Sequence, residues 1–170
     1  MIADWDAAIS AALEKVSCFE EHAPTRATLA HLVETYFVYH FMAYDPEEVR
    51  RAAAQASETG VIELGEPRPE SEPSAWAYSV VSDMIEDLQP ADALELIMSL
   101  IEFAPDEDAL GAVAAGPLED FINDRGQEAL DLIEWETIRS PKLREALAGV
   151  WLKEGPIADR VRRLADPPLE

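Results

Sequence analysis

Positive charge is scarce in this chain. Its 170 residues hold 13 Lys plus Arg against 35 Asp plus Glu, a formal net charge of −22. Such a surface repels phosphates, which excludes nucleic acid and anionic membranes as partners and favours basic surfaces or cations. Cysteine is nearly missing too. Cys18 alone excludes an internal disulfide and a cysteine zinc site. Within an apolar helical pattern it is expected to be a half-buried, reduced thiol, which suits a cytoplasmic protein. Long apolar runs are absent. The longest stretches without a charge are ten residues, such as 109–118, about half of what a membrane-crossing helix requires. The opening Met1-Ile2-Ala3-Asp4-Trp5-Asp6 has no basic start and no apolar core, so it does not read as a signal peptide.

Two-residue alternation is lacking as well, apart from a hint at Ile62 and Leu64. Helical period fills its place. After Asp4, a good cap, Trp5, Ala8, Ile9, Ala12, Leu13, Val16 and Phe19 share one face, and Pro24 closes the helix. Leu29, Leu32, Val33, Tyr36, Phe37, His40 and Tyr44 form a second stripe. Asp45-Pro46-Glu47-Glu48 is a start signal that opens an alanine-rich helix over 46–57, stopped by Gly60. Residues 60–73 hold two glycines and three prolines and read as a surface loop. Beyond it, helices are expected over 74–88, 90–104, 106–115, 117–125, 127–139, 141–153 and from 156 to about 165. Prolines stand near their starts and glycines near their ends. The expectation is an all-α chain: one domain over 1–170, an irregular bundle of about nine or ten short helices. Stacked, solenoid-like pairs are a variant, although no fixed repeat period supports one.

The charge is unevenly spread. From Pro69 to Asp124 there are fourteen acids and no Lys or Arg, whereas 139–163 carries seven bases and three acids. On helix 90–104, Asp92, Glu95, Ser99 and Glu102 form a narrow polar strip, and apolar residues fill the remaining arc. On helix 127–139, Ala129, Leu130, Ile133 and Thr137 make the core arc. Trp135 lies opposite, near Glu128 and Asp131, with Ile138 close by and Glu134 at the edge, where either a short neighbouring helix covers it or it stands free as an interface anchor. An ordinary solvated face mixes in bases. A strip without them suits docking of a basic partner.

Local catalytic signals are missing. His31 and His40 lie about 180° apart on one helix and cannot share a metal. His40 reads as a core histidine with a hydrogen-bond partner. Asp106-Glu107-Asp108 lacks the spacing of a calcium loop and reads as helix-start acids. There is no H-E-x-x-H, G-x-S-x-G, P-loop or dinucleotide fingerprint.

The stretch Gly116-Pro117-Leu118-Glu119-Asp120, followed by Gly126, Ile133-Glu134, Pro141-Lys142-Leu143-Arg144 and Val150-Trp151, resembles an uncharacterised bacterial domain family over about 73–152. The resemblance implies no activity. Read from the residues, Pro117 suits a first helical position. Glu119 would then cap its own helix two residues on.

These observations point to a non-enzymatic, acidic, cytoplasmic binding protein, in particular an antitoxin-like immunity protein that masks a basic toxin. The docking residues are Asp92, Glu95 and Glu102 on one helix and Glu128, Asp131, Glu134 and Trp135 on another. No catalytic residue, metal ligand or cofactor is expected. The alternatives are a nucleic-acid mimic that inhibits a DNA-binding protein, and an enzyme or metal-binding helical domain whose site assembles only in three dimensions. Self-repulsion at −22 has a measurable consequence. The melting temperature in low salt is expected to be higher at about pH 5.5 than at about pH 8, and about 0.5 M NaCl narrows the gap. Calorimetry showing a steady rise to pH 8 contradicts this.

Overall fold

The computed structural model describes residues 4–18, 20–43, 45, 47–48, 51 and 65–166. Phe19, Tyr44, Ile62, Leu64 and most of the helix expected over 46–57 lie outside them. Two compact units divide the chain within one helix, one over Asp4–Val81 and one from Ser82 onward. Among the described residues there is no strand, and eight continuous helices are present.

In the first unit, α1 (Trp5–Val16) starts where expected, because the Asp4 carboxylate accepts the Ala7 N–H at 3.0 Å. Ile9, Ala12, Leu13 and Val16 are buried as its stripe predicts. The last turn ends earlier than the pattern suggested, and Cys18 is exposed rather than half-buried. Its thiol donates back to the Lys15 carbonyl at 2.9 Å. Helix α2 (Leu29–Ala43) is opened by Thr28, whose hydroxyl accepts the His31 N–H at 3.3 Å. It buries Leu32, Val33, Tyr36, Phe37, Tyr39 and Ala43.

His40 lies among aromatic rings, 4.5 Å from Tyr36, 5.7 Å from Tyr39 and 6.0 Å from Tyr78. Burial pushes its pKa down to about 4, so the ring is neutral near pH 7. Of its two ring nitrogens, Nε2 reaches no hydrogen-bond partner among the described residues. Asp45 does act as a start signal, accepting the Glu47 N–H at 2.8 Å and an ion pair from Arg68 at 3.0 Å. The segment read as a loop closes with a 3-10 turn, Pro69–Ser74.

Helix α3 (Ala75–Asp87) runs from the first unit into the second. There α4 (Pro90–Phe103) buries Ala93, Leu94, Leu96, Ile97, Leu100 and Ile101, as its wheel predicts. The next element departs from expectation. Two helices, 106–115 and 117–125, were expected on either side of Pro117. Instead α5 runs Glu107–Val113, widens into a π-turn over Ala114–Leu118 and resumes over Glu119–Arg125. Proline inside a regular α-helix loses one hydrogen bond and clashes with the carbonyl four residues back. The wide turn gives that ring room. This fusion is one reason eight helices stand where nine or ten were expected.

Gly126 then breaks the chain at φ 55°, ψ −119°, a conformation that a Cβ disfavours. Helix α6 (Gln127–Thr137) buries Ala129, Leu130, Ile133 and Thr137, the predicted arc. Helix α7 (Pro141–Ala148) is capped by the Ser140 hydroxyl, which accepts the Leu143 N–H at 3.1 Å. The last helix, α8 (Pro156–Ala165), buries Ala158 and Val161.

Cations close the helix ends of this unit. The Arg125 guanidinium donates to the carbonyls of Glu86, Leu88 and Ile85 at 2.8, 3.1 and 3.4 Å, at the end of α3. The Lys142 ammonium donates to Glu102 and Ala104 at 2.9 Å each, at the end of α4. Arg144 donates to the Thr137 carbonyl that ends α6. Last-turn carbonyls have no partner in their own helix and carry the negative end of its dipole, so cations suit them. Hydrogen bonds from charged groups are worth about 1.5–3 kcal/mol each when satisfied. Arg125→Met is therefore expected to lower stability by about 2 kcal/mol in urea unfolding followed by circular dichroism. A loss under about 0.5 kcal/mol would show that these carbonyls are equally well served by water.

Candidate functional site

The outward face of α6 is built by the same periodicity that buries its inner one. Glu128, Asp131, Glu134, Trp135 and Ile138 follow one another at three- and four-residue steps, so they share the side away from Leu130 and Ile133. Trp135 is 72% exposed and Ile138 is 73% exposed. Large apolar side chains are uncommon at such exposure next to one another. Phe103, at the C-terminal end of α4, is 68% exposed. Lys142 ties the carbonyls on either side of Phe103 to the start of α7, four residues after Ile138.

The carboxylates beside Trp135 are not free-swinging. Arg160 of α8 pairs with Asp131 at 2.7 Å and also with Glu134. The Gln127 amide donates to the same Asp131 oxygen at 3.0 Å. Hydrogen bonds to Glu134 and Asp131 strengthen the charged form of Arg160. That guanidinium is mostly covered, with 19% side-chain exposure, while Asp131 and Glu134 remain 63% and 56% exposed. The α8 helix therefore fixes two carboxylates in place and leaves them facing water.

The other docking residues read from the sequence are placed differently. Asp92 and Glu95 are half-buried on α4, and only Glu102 at its end is exposed. Glu128 is exposed, with no ion pair among the described residues. Two residues of this surface escaped sequence reasoning. Phe103 falls on the α4 wheel beside Asp92 and Ser99, within the polar strip, and was passed over because its side chain is apolar. Arg160 lies 26 and 29 residues from its partners, and no local spacing announces the pairing.

The Gly116-Pro117-Leu118-Glu119-Asp120 segment forms a second constellation. The Glu119 N–H reaches the Ala114 carbonyl, the five-residue bond of a π-turn. The expected self-capping role of Glu119 is not what the structure holds, because no free helix start exists there. Its side chain instead accepts the backbone N–H of Trp151 at 2.9 Å, across 32 residues. Gly149 packs against the same turn: a Cβ on it would lie 3.1 Å from that of Ala114. The π-turn and the Gly149-Val150-Trp151 segment form one latch.

Burial holds the Glu119 carboxyl above the ordinary range, opposed by the Trp151 N–H and assisted by Asp120. Asp120 is also raised, by burial, then by Asp124 and Glu86. In the first unit His31 stands between two open depressions of about 660 and 480 Å³, one lined by Arg26, Asp4 and Asp6, the other by His22 and Glu34. No group of three or more His, Cys, Asp or Glu side chains among the described residues is arranged to hold a metal ion.

The latch makes a pH-dependent expectation. A carboxyl whose folded pKa is raised binds its proton more tightly in the fold. Its ionisation therefore destabilises the fold as pH rises through and above the ordinary carboxylate range. Glu119→Gln keeps an acceptor for the Trp151 N–H and removes the half-buried charge. Its melting temperature is expected to exceed that of the wild type at pH 7, with the difference shrinking as pH falls below the carboxylate range. A difference that is constant across pH, or opposite in sign, contradicts the assignment.

No curated protein and no solved structure matches the chain. No helix among the described residues is long and apolar enough to cross a membrane. Residues 65–167, well over half of the chain, match a family of unknown function, DUF6869, and the protein belongs to that family.

Proposed function

We propose that this protein is a non-enzymatic, acidic, cytoplasmic binding protein of the antitoxin-like immunity kind, which masks a basic toxin. The observation that carries the reading is the outward face of α6. Trp135 at 72% exposure stands beside Ile138 and two carboxylates fixed by Arg160. Tryptophan is prominent among binding hot spots, and carboxylates around it engage a basic rim. The net charge of −22 adds long-range attraction that speeds encounter with a cationic surface. A nucleic-acid mimic needs little more than regularly spaced negative charge. The pair of exposed apolar residues at its centre favours a partner with an apolar pocket of its own.

The direct assay is toxicity of the product of the adjoining reading frame, with and without this chain. Neutralisation by the wild type is expected. Trp135→Ala is expected to weaken the complex by about 2 kcal/mol or more, the usual hot-spot threshold. Its melting temperature should stay nearly unchanged, because an exposed side chain contributes little to the core. Failure to neutralise, or full affinity in the variant, contradicts the reading.

A further inference from the structure

The α6 face carries a sign of which cation it is built for. Arg160 bridges Asp131 and Glu134 with its two terminal nitrogens. A planar fork fits two carboxylates a turn apart, and a point-like ammonium does not reproduce it. This internal guanidinium takes only one oxygen of each carboxylate: Oδ1 of Asp131, shared with Gln127, and Oε2 of Glu134. The outer oxygens, Oδ2 and Oε1, accept no hydrogen bond among the described residues. Trp135 stands four residues after Asp131, so its indole leans over that turn. Glu128 lies one further turn back on the same side, exposed. A π face, a fixed carboxylate with a vacant oxygen and a free carboxylate thus border one patch of surface.

We infer that this patch recognises arginine on the protein partner. The partner's guanidinium would stack on the indole of Trp135 and donate to Asp131 Oδ2 and Glu128. Cation–π stacking and forked donation both favour Arg over Lys. The inference rests on the reading of α6 as the docking surface, and it narrows the partner from basic to arginine-presenting.

Two probes of equal charge test it: an octa-arginine and an octa-lysine peptide, titrated into the full chain at about 0.15 M salt to screen long-range attraction. Octa-arginine is expected to bind about fivefold or more tightly than octa-lysine, the equivalent of one cation–π contact of about 1 kcal/mol. Trp135→Leu, which keeps an apolar side chain without the indole, is expected to erase the preference with the helical circular dichroism unchanged. A second measurement uses the wild-type chain: the Trp135 indole N–H resonance should move at lower octa-arginine than octa-lysine concentration. Equal affinities, or a preference that survives in Trp135→Leu, overturn the arginine assignment alone. No binding of either peptide, or binding untouched by both Trp135→Leu and Glu128→Gln, overturns the α6 docking reading and this inference with it.

Discussion

The second unit depends on cations that reach across the chain to close helix ends. Its helices are short, so a large share of their carbonyls lie in last turns and lack internal partners. Arg125, Lys142 and Arg144 supply donors to the ends of α3, α4 and α6. Each is therefore engaged with backbone oxygens rather than with side-chain acids. In a chain with 13 bases and 35 acids this choice has a cost. Carboxylates that a surface would ordinarily pair with Lys or Arg are left facing water. The acidity of the surface and the closure of the helices are two outcomes of one allocation of scarce positive charge. Arg160 and Arg162 of α8 are exceptions, and Arg162 pairs with Glu154 and Asp159. Instead of a helix end Arg160 holds Asp131 and Glu134, the carboxylates that flank Trp135.

Much of this architecture was legible because helices encode their burial locally. The core arc of α6, Ala129, Leu130, Ile133 and Thr137, follows from spacing alone. So does the buried arc of α4, which leaves Glu102 at the surface. The same wheel placed Trp135 opposite that arc but favoured a short neighbouring helix covering it there, and its exposure overturns that reading. Errors arose where a residue has two local meanings. Gly116 and Pro117 read as a helix end and a helix start, yet they form the π-turn of a continuous α5. Proline marks a start when no helix precedes it. Here Val113 and Leu118, both fully buried, hold the chain helical on either side. Cys18 was misplaced because α1 ends at Val16, and the stripe no longer dictates burial beyond it. Long-range pairings such as Arg160 with Asp131 leave no periodic trace at all.

The motif that carried the family resemblance has a physical explanation in the latch. A Cβ on Gly149 would come within 3.1 Å of the Ala114 Cβ, so glycine allows the close approach, and the Trp151 N–H finds the Glu119 carboxylate. That N–H lies at an exposed position past the end of α7, so the bond to Glu119 positions the segment rather than rescuing a buried donor. A carboxylate is a strong acceptor for it, but burial makes that carboxylate costly to ionise. The latch thus needs glycine, a wide turn and an acid in one arrangement, for reasons of packing alone. On the proposed docking reading, the residues of the latch and those that would face a partner are different sets, although Glu134 belongs both to the family-like pattern and to the α6 face. Glu119 and Gly149 form the latch, and Trp135 and Glu128 would form the docking face.

That separation bears on how binding would be tuned. The overall charge acts over about one Debye length, roughly 8–10 Å near physiological salt, and has no orientation. It draws cationic surfaces of every kind and governs how fast they arrive. On the proposed docking reading, Trp135, Ile138 and Phe103 would act only on contact, where affinity differences are set chiefly by dissociation. Selectivity among basic partners must therefore come from the contact set. α8 supports it from behind, since Arg160 fixes Asp131 and Glu134 before any partner arrives. Ordered carboxylates lose less conformational freedom on binding than free ones. An acidic surface without this arrangement would attract many cations and hold none of them selectively.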